Sequence, residues 1–143
     1  MKKYSLWLVV VLLVLGLAGY KATKEALKER PVEKSVSFTI YKGFDYTSHV
    51  YDCTFAQIHI SVEKVRGNKR TTVWDTTFDA KLLKQYPSIG KALTENITIP
   101  QIVEKKEHLD INYVITYNSK GSELKMRGGT MGLVDPGKLY ISI

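Results

Sequence analysis

Hydrophobic and polar residues follow two different patterns along this chain, and the change falls near residue 35. Nearly every residue from Leu6 to Gly19 is apolar. From Val36 onwards, stretches of alternating apolar and polar residues recur, as in β-strands that bury one face. The pattern therefore predicts an N-terminal segment of residues 1–35 and a β-rich domain of residues 36–143.

The domain is predicted to contain seven short strands. The clearest runs from Leu109 to Tyr117, where every second residue is a large apolar or aromatic one. Gly67 and Asn68 tolerate the left-handed backbone of a tight hairpin, so a β-hairpin is expected around them. The seven strands are expected at residues 36–40, 51–62, 70–78, 97–99, 109–117, 123–127 and 138–143.

Three local features refine this prediction. The apolar positions change parity between Phe55 and Ile58, which predicts a bulge in that strand. Cys53 lies in the same run and is expected to be a small buried residue. Residues 79–86 predict a short helix that crosses between sheets, capped by Asp79 and ended by Pro87.

Short, evenly spaced strands with one helical crossover are typical of an antiparallel, immunoglobulin-like β-sandwich. A small β-barrel is the alternative architecture. Cys53 is the one cysteine of the chain, so the cysteine pair of antibody domains is missing. The core is therefore expected to hold together without a disulfide.

The apolar N-terminal segment predicts a membrane anchor. Between Lys3 and Lys21 lie 17 uncharged residues, which as a helix would span about 26 Å, close to a hydrocarbon core of about 30 Å. A helical stalk is expected at residues 21–30, ended by Pro31. A cleaved signal peptide is the alternative, with Gly16 and Ala18 at the cleavage site. The residues expected to mark the anchor are Leu6, Trp7, Leu12, Leu15 and Tyr20.

Charge favours a membrane partner over a nucleic acid. Residues 1–35 carry seven Lys or Arg and three Glu, whereas residues 36–143 carry fourteen basic and eleven acidic residues. The excess therefore lies beside the apolar segment, where it favours anionic lipid surfaces. The basic residues of the domain are scattered, so no nucleic-acid partner is expected. A basic start before a short apolar run favours export of the domain to the periplasm or cell surface, although the positive-inside rule taken literally would leave it cytoplasmic.

No catalytic, metal or cofactor site is expected from the sequence. The run from Gly132 to Lys138 resembles a phosphate-binding loop, but Leu139 stands where a hydroxyl residue is required, and no helix can follow. His49, Asp52 and Cys53 carry ligand atoms at a spacing that matches no structural zinc pattern. A non-enzymatic role is therefore expected.

The predicted loop after the first strand holds the best candidate for recognition. Phe44, Tyr46 and Tyr51 are candidate partner-binding residues, because exposed aromatic residues often dominate protein interfaces. The leading hypothesis is a single-pass membrane protein whose sandwich is a structural or assembly subunit of an envelope complex. Its partners would be other envelope proteins or further copies of itself. The alternative is an extracytoplasmic module that binds a glycan, a lipid or a small molecule in an aromatic-lined pocket.

Overall fold

The two-residue period predicted for the domain is visible in its strands. The structure is a computed structural model that describes residues 30–133 and 137–143, and no α-helix occurs among them. The strands of these residues are β1 (Val32–Tyr41), β2 (Thr54–Arg66), β3 (Lys69–Thr77), β4 (Lys81–Leu82), β5 (Leu93–Ile102), β6 (His108–Ser119), β7 (Ser122–Leu133) and β8 (Gly137–Ser142). The prediction of an all-β domain is confirmed.

The strands form two sheets. The smaller sheet has the order β5-β1-β8, and the larger sheet has the order β3-β2-β6-β7, with β4 also paired to β2. Every pairing is antiparallel except that of β1 with β8, which is parallel. The expectation of a wholly antiparallel sandwich was therefore wrong at this one pairing. The C-terminal strand lies against β1, which begins the domain, and Ile143 N–H donates to the carbonyl of Tyr41 at 2.9 Å.

The core lies between the inner faces of the two sheets. Val36, Phe38 and Ile40 of β1 are buried, as the alternation predicted. Phe38 stacks on Trp74 of β3 with ring centroids 5.3 Å apart and planes inclined by 9°. Isoleucines from β2, β5, β6 and β8 complete this layer: Ile58, Ile60, Ile97, Ile99, Ile102, Ile111, Ile115 and Ile141. The two sheets thus form a β-sandwich, and its core is packed without a disulfide.

The start of β2 differs from the sequence prediction. Thr54 and Ala56 face the core, and Phe55 is exposed, so the alternation runs unbroken from Thr54 to Val62. The bulge predicted between Phe55 and Ile58 was wrong. The irregularity falls instead between Val62 and Glu63. Cys53, predicted to be buried in this strand, lies in the preceding turn and is exposed.

The predicted helix between the sheets was also wrong in type. Lys81 and Leu82 pair with the start of β2, and a single 3₁₀ turn, Leu83–Gln85, follows. The pairing of Lys81 and Leu82 explains this, because backbone groups that bond to β2 cannot also form the bonds of an α-helical turn. The segment still connects the larger sheet to the smaller one, as expected.

The predicted anchor residues, Leu6 to Tyr20, lie outside the described part of the chain, and so does the stalk. Within residues 30–133 and 137–143, no helix is long and apolar enough to cross a bilayer. The described strands all belong to one unit, Pro31–Ile143. Strand β1 begins at Val32, ahead of the boundary at Val36 that the sequence predicted for the domain.

Candidate functional site

The loop between β1 and β2 is held against the body of the domain at its start and its end. Lys42 N–H donates to the carbonyl of Pro87 at 2.8 Å, and Gly43 N–H donates to that of Ile143 at 2.9 Å. At the other end, Asp52 accepts from His49 at 3.0 Å and from Lys84 at 3.4 Å. The hydrogen bonds from His49 and then Lys84 hold the pKa of Asp52 below its usual value. The loop is therefore tied to both sheets.

Three aromatic rings of this loop form a continuous cluster. The Tyr46 ring meets Tyr51 edge to face with centroids 5.1 Å apart, and it meets Phe44 in the same manner at 6.2 Å. Tyr46 has a positive φ of 52°, a conformation uncommon for a bulky residue. Phe44 is 76% exposed, whereas Tyr46 packs against the hydrophobic core. The candidate residues predicted from the sequence thus lie side by side.

An apolar cavity of about 370 Å³ opens beside this cluster. Tyr46 and Tyr51 line it from the loop, and Leu83 lines it from the 3₁₀ turn. Strands β6 and β7 contribute Tyr117, Leu124 and Met126. Phe44 does not line the cavity, but it contacts Tyr46, which does. The volume falls within the range of small-molecule sites, about 300 to 1,000 Å³.

The inner face of the β6–β7 hairpin supplies one wall of the cavity. Tyr117 pairs with Leu124, and Ile115 pairs with Met126, so their side chains share the face that is turned toward the core. Ile115 is buried, but Leu124 is 62% exposed and Met126 is 53% exposed. The apolar face therefore continues past the covered core into the cavity.

Four polar side chains other than the tyrosines line the cavity: Thr54, Ser119, Ser122 and Glu123. The Thr54 hydroxyl donates to the Ser119 hydroxyl at 3.0 Å, which pairs these groups with each other. Ser122 and Glu123 stand at the same side, and Glu123 forms an ion pair with Lys125 at 3.0 Å.

Burial favours the neutral form of two cavity tyrosines, Tyr46 and Tyr117. Burial raises the pKa of Tyr46, and the neighbouring Tyr51 raises it further. Burial likewise raises the pKa of Tyr117, with smaller contributions from Tyr46 and Tyr113. The phenols thus add no charge to the cavity near neutral pH, and their rings offer an uncharged wall.

A second polar cluster lies on the larger sheet, and it reads as structural. Arg70 of β3 donates to the buried carboxylate of Asp110 at 2.8 Å and to Glu63 at 3.1 Å. These bonds join β3, β2 and β6, and the hydrogen bond to Glu63 is the main reason why the pKa of Arg70 is raised. Across the described residues no three metal-ligand side chains come together.

The sequence signalled part of the cavity. Tyr46 and Tyr51 stood out as aromatics in a predicted loop. Tyr117, Leu124 and Met126 were not singled out, because alternating apolar residues in strands ordinarily belong to the core. The sequence indicated them only by the alternating apolar residues on both sides of a short turn. Comparison of the chain with protein-family models, with curated proteins and with solved structures gave no match.

Proposed function

We propose that the domain is a binding module that takes the alkyl chain of a lipid or a similar apolar molecule into the cavity beside Tyr46. The observation that carries this proposal is the open, aromatic-lined cavity of about 370 Å³. An apolar surface exposed to water is unfavourable in proportion to its area, so a ligand that covers Leu124 and Met126 gains affinity from burial alone.

The lining favours an alkyl chain over a glycan. Sugars are bound through many hydrogen bonds, whereas the wall here consists of leucine, methionine and tyrosine side chains. Thr54 and Ser119 already bond to each other, which leaves few polar groups facing inward. Glu123 is the charged residue of the lining and is already paired with Lys125 outside it at 3.0 Å, so an uncharged head group is the best match.

The sequence supplies the proposed location. Leu6, Trp7, Leu12, Leu15 and Tyr20 would anchor the chain in a bilayer and leave the domain outside the cytoplasm, in the periplasm or at the cell surface. A site for alkyl chains beside a bilayer would have its ligand in constant supply. Cleavage of the same segment as a signal peptide would release the module without changing its site.

Assembly through protein contacts is the second candidate function, and the arrangement of β7 favours it. This strand ends the larger sheet, and β6 is its only partner among the described residues. A free strand edge can pair with another chain, so the envelope-subunit hypothesis stands beside the ligand-binding one.

The pairing order supports the immunoglobulin-like arrangement that we propose for the sandwich. Strands β3-β2-β6-β7 follow the C′-C-F-G order of immunoglobulin domains, and β1 with β5 follows the B–E pair. The place beside B, which strand A takes in those domains, is held here by β8. The C-terminal strand β8 would thus occupy the position of strand A.

Photolabelling tests the ligand-binding proposal. The full chain in lipid nanodiscs would be irradiated with an uncharged alkyl alcohol that carries a diazirine, and adducts would be located by mass spectrometry. We expect adducts on Leu124, Met126 and Tyr117, and a loss of at least fivefold in Leu124→Lys.

Ile89→Lys provides a matched control, because Ile89 is 63% exposed and Leu124 is 62% exposed. The control variant should label like the unaltered chain. Equal loss in both variants, or adducts scattered over the surface, would contradict a specific alkyl site.

A further inference from the structure

The outer edge of β7 presents a row of backbone groups with a fixed spacing. The β6–β7 hairpin turns at Lys120 and Gly121, whose φ angles of 48° and 85° are those of a two-residue type I′ turn. The closing pair, Ser119 and Ser122, therefore exchanges backbone hydrogen bonds within the hairpin. Because the pattern alternates, the N–H and C=O groups of Glu123, Lys125 and Arg127 point away from β6, toward the free edge.

The side chains along this edge divide into two sets. Leu124 and Met126 lie on the inner face and are largely exposed. Glu123 and Lys125 lie on the outer face and carry opposite charges. Exposed edge strands are usually short or interrupted by proline, whereas β7 runs for twelve residues without one. The edge of β7 could therefore pair with a further strand.

We propose that two copies of this chain pair through β7 in an antiparallel ladder with Leu124 on the twofold axis. In this register Glu123 stands opposite Lys125 of the second copy, and Lys125 stands opposite Glu123 of that copy. Leu124 meets Leu124, and Ser122 meets Met126, so the exposed apolar side chains cover one another. The two four-stranded ladders join into one continuous eight-stranded sheet.

Charge selects this register from its neighbours. Pairing must keep inner-face residues opposite inner-face residues, so the twofold axis has to lie at a residue of β7 and not between two residues. The alternative registers therefore place the axis at a neighbouring residue. An axis at Lys125 would place that lysine opposite itself. An axis at Met126 would place Lys125 opposite Arg127 twice, and an axis at Glu123 would place that glutamate opposite itself. Like charges that face each other across strands are destabilising. An axis at Lys125 would also pair Glu123 with Arg127 twice, but it would keep the two lysines opposed. Of these axes, only the one at Leu124 forms two pairs of opposite charge without opposing like charges.

The pairing also bears on the cavity. Leu124 and Met126 line it in each copy, so the ladder would bring two cavities to one seam and close the exposed side of each. The inference deepens the assembly proposal and rests on it by naming the second copy as the partner. It does not depend on what occupies the cavity, because the free edge and the charges of β7 carry it.

Charge exchange tests the pairing. The full chain in a mild detergent would be measured by sedimentation or light scattering over a range of protein concentrations. Lys125→Glu places Glu123 opposite a glutamate, and Glu123→Lys places a lysine opposite Lys125, so each should raise the dimer dissociation constant at least tenfold. The double variant E123K/K125E restores both ion pairs and should return it to within about threefold of the unaltered chain.

Lys91→Glu serves as the control, because it makes the same change of charge on an exposed residue of another segment, the 3₁₀ turn Ile89–Lys91. It should leave the dimer unchanged. A chain that stays monomeric at all concentrations would overturn the proposal, as would a double variant that stays as dissociated as the single ones. Lys125 does not line the cavity. Photolabelling that survives in Lys125→Glu while the dimer is lost therefore separates the failure of one proposal from that of the other.

A disulfide tests the register. Residues on a non-hydrogen-bonded antiparallel pair have Cα atoms about 4.5 Å apart, a distance that a disulfide can span. In a Cys53→Ser background, Leu124→Cys should crosslink to a second copy on mild oxidation, in detergent and in the native membrane. Met126→Cys should crosslink at least tenfold more slowly. Faster crosslinking at Met126, or a crosslink of Leu124→Cys to a different protein in the native membrane, would overturn the proposed pairing.

Discussion

The two hairpins of the larger sheet have similar strand patterns and different surroundings. In the β2–β3 hairpin the inner face of β2 is buried, and the half-buried Trp74 of β3 stacks on the fully buried Phe38 of the smaller sheet. In the β6–β7 hairpin, β6 is covered and β7 is not, so Leu124 and Met126 of its inner face remain exposed. Both hairpins end in tight turns with left-handed glycines, Gly67 and Gly121.

The difference follows from the number of strands available in each layer. The smaller sheet has three strands, and the larger one has a four-stranded ladder with β4 at its side. Three strands cover the middle of the larger sheet and leave its last strand open. The same alternation thus builds part of the core in one hairpin and leaves an exposed apolar surface in the other. What distinguishes them is the presence of a sheet opposite, and this is a property of the tertiary structure.

The largest difference between the two hairpins is expected when one apolar side chain is truncated at each. Phe38 packs against the β2–β3 hairpin, and Leu124 belongs to the β6–β7 hairpin. Phe38→Ala empties a fully buried position and should lower the free energy of unfolding by about 3 to 5 kcal/mol. Leu124→Ala removes a side chain that is exposed in the single chain. In the dissociated Lys125→Glu background it should change the free energy of unfolding by less than about 0.5 kcal/mol. Urea unfolding of the full chain, followed by Trp74 fluorescence in a Trp7→Phe background, measures both.

In that dissociated background, a loss of more than about 2 kcal/mol in Leu124→Ala would mean that β7 is covered within a single chain. Tyr140→Ala serves as a control on the smaller sheet, because Tyr140 is 55% exposed. It should behave like Leu124→Ala if exposure decides the outcome.

The glycines at the far end of β7 sharpen the comparison within a single strand. A Cβ at Gly129 would collide with the carbonyl oxygen of Ile111, and a Cβ at Gly128 would collide with the ring of Tyr113. Backbone cannot move aside cheaply, whereas a half-exposed ring can. Gly129→Ala should therefore lower the free energy of unfolding by about 2 kcal/mol and Gly128→Ala by about 1 kcal/mol or less. The same urea experiment orders them, and the reverse order would show that Tyr113 is fixed more firmly than the β6 backbone.

Local chemistry made much of the fold predictable from the sequence. The alternation identified the buried faces of β1 and β6, and the hairpin at Gly67 was expected from the residues that tolerate its geometry. Each of these depends on residues close together in the chain.

The errors came where partners distant in sequence decide the structure. Cys53 was expected to be buried because it lies between aromatic residues, but pairing with β4 and β6 starts β2 at Thr54 and leaves Cys53 in a turn. The parallel pairing of β1 with β8 joins the two ends of the domain, and no local pattern encodes it. The cavity was predictable only through Tyr46 and Tyr51, since exposure of Leu124 depends on a strand that is missing opposite it.

Two tyrosines with raised pKa values bring the comparison down to single hydroxyl groups. Tyr86 is buried on the covered side, where its hydroxyl donates to the carbonyl of Ala56 at 2.8 Å and burial raises its pKa to about 12. Tyr117 lines the open cavity, and its pKa is raised mainly by burial as well. Tyr86→Phe leaves a buried carbonyl without its donor and should cost about 1 to 2 kcal/mol. Tyr117→Phe should cost less than about 0.5 kcal/mol, because the open cavity lets water replace its hydroxyl.

The pH dependence of stability should follow the same division. The folded state holds the Tyr86 proton more tightly than the unfolded state, whose tyrosine titrates near pH 10. The contribution of this proton is therefore complete below pH 10 and is lost as the pH rises toward 12, by roughly 2 kcal/mol. Urea unfolding between pH 9 and 12 should show a shallower decline in Tyr86→Phe than in the unaltered chain. An equal decline in both would mean that Tyr86 is as accessible to water as the open side of the molecule, and the distinction between the two regions would fail at this residue.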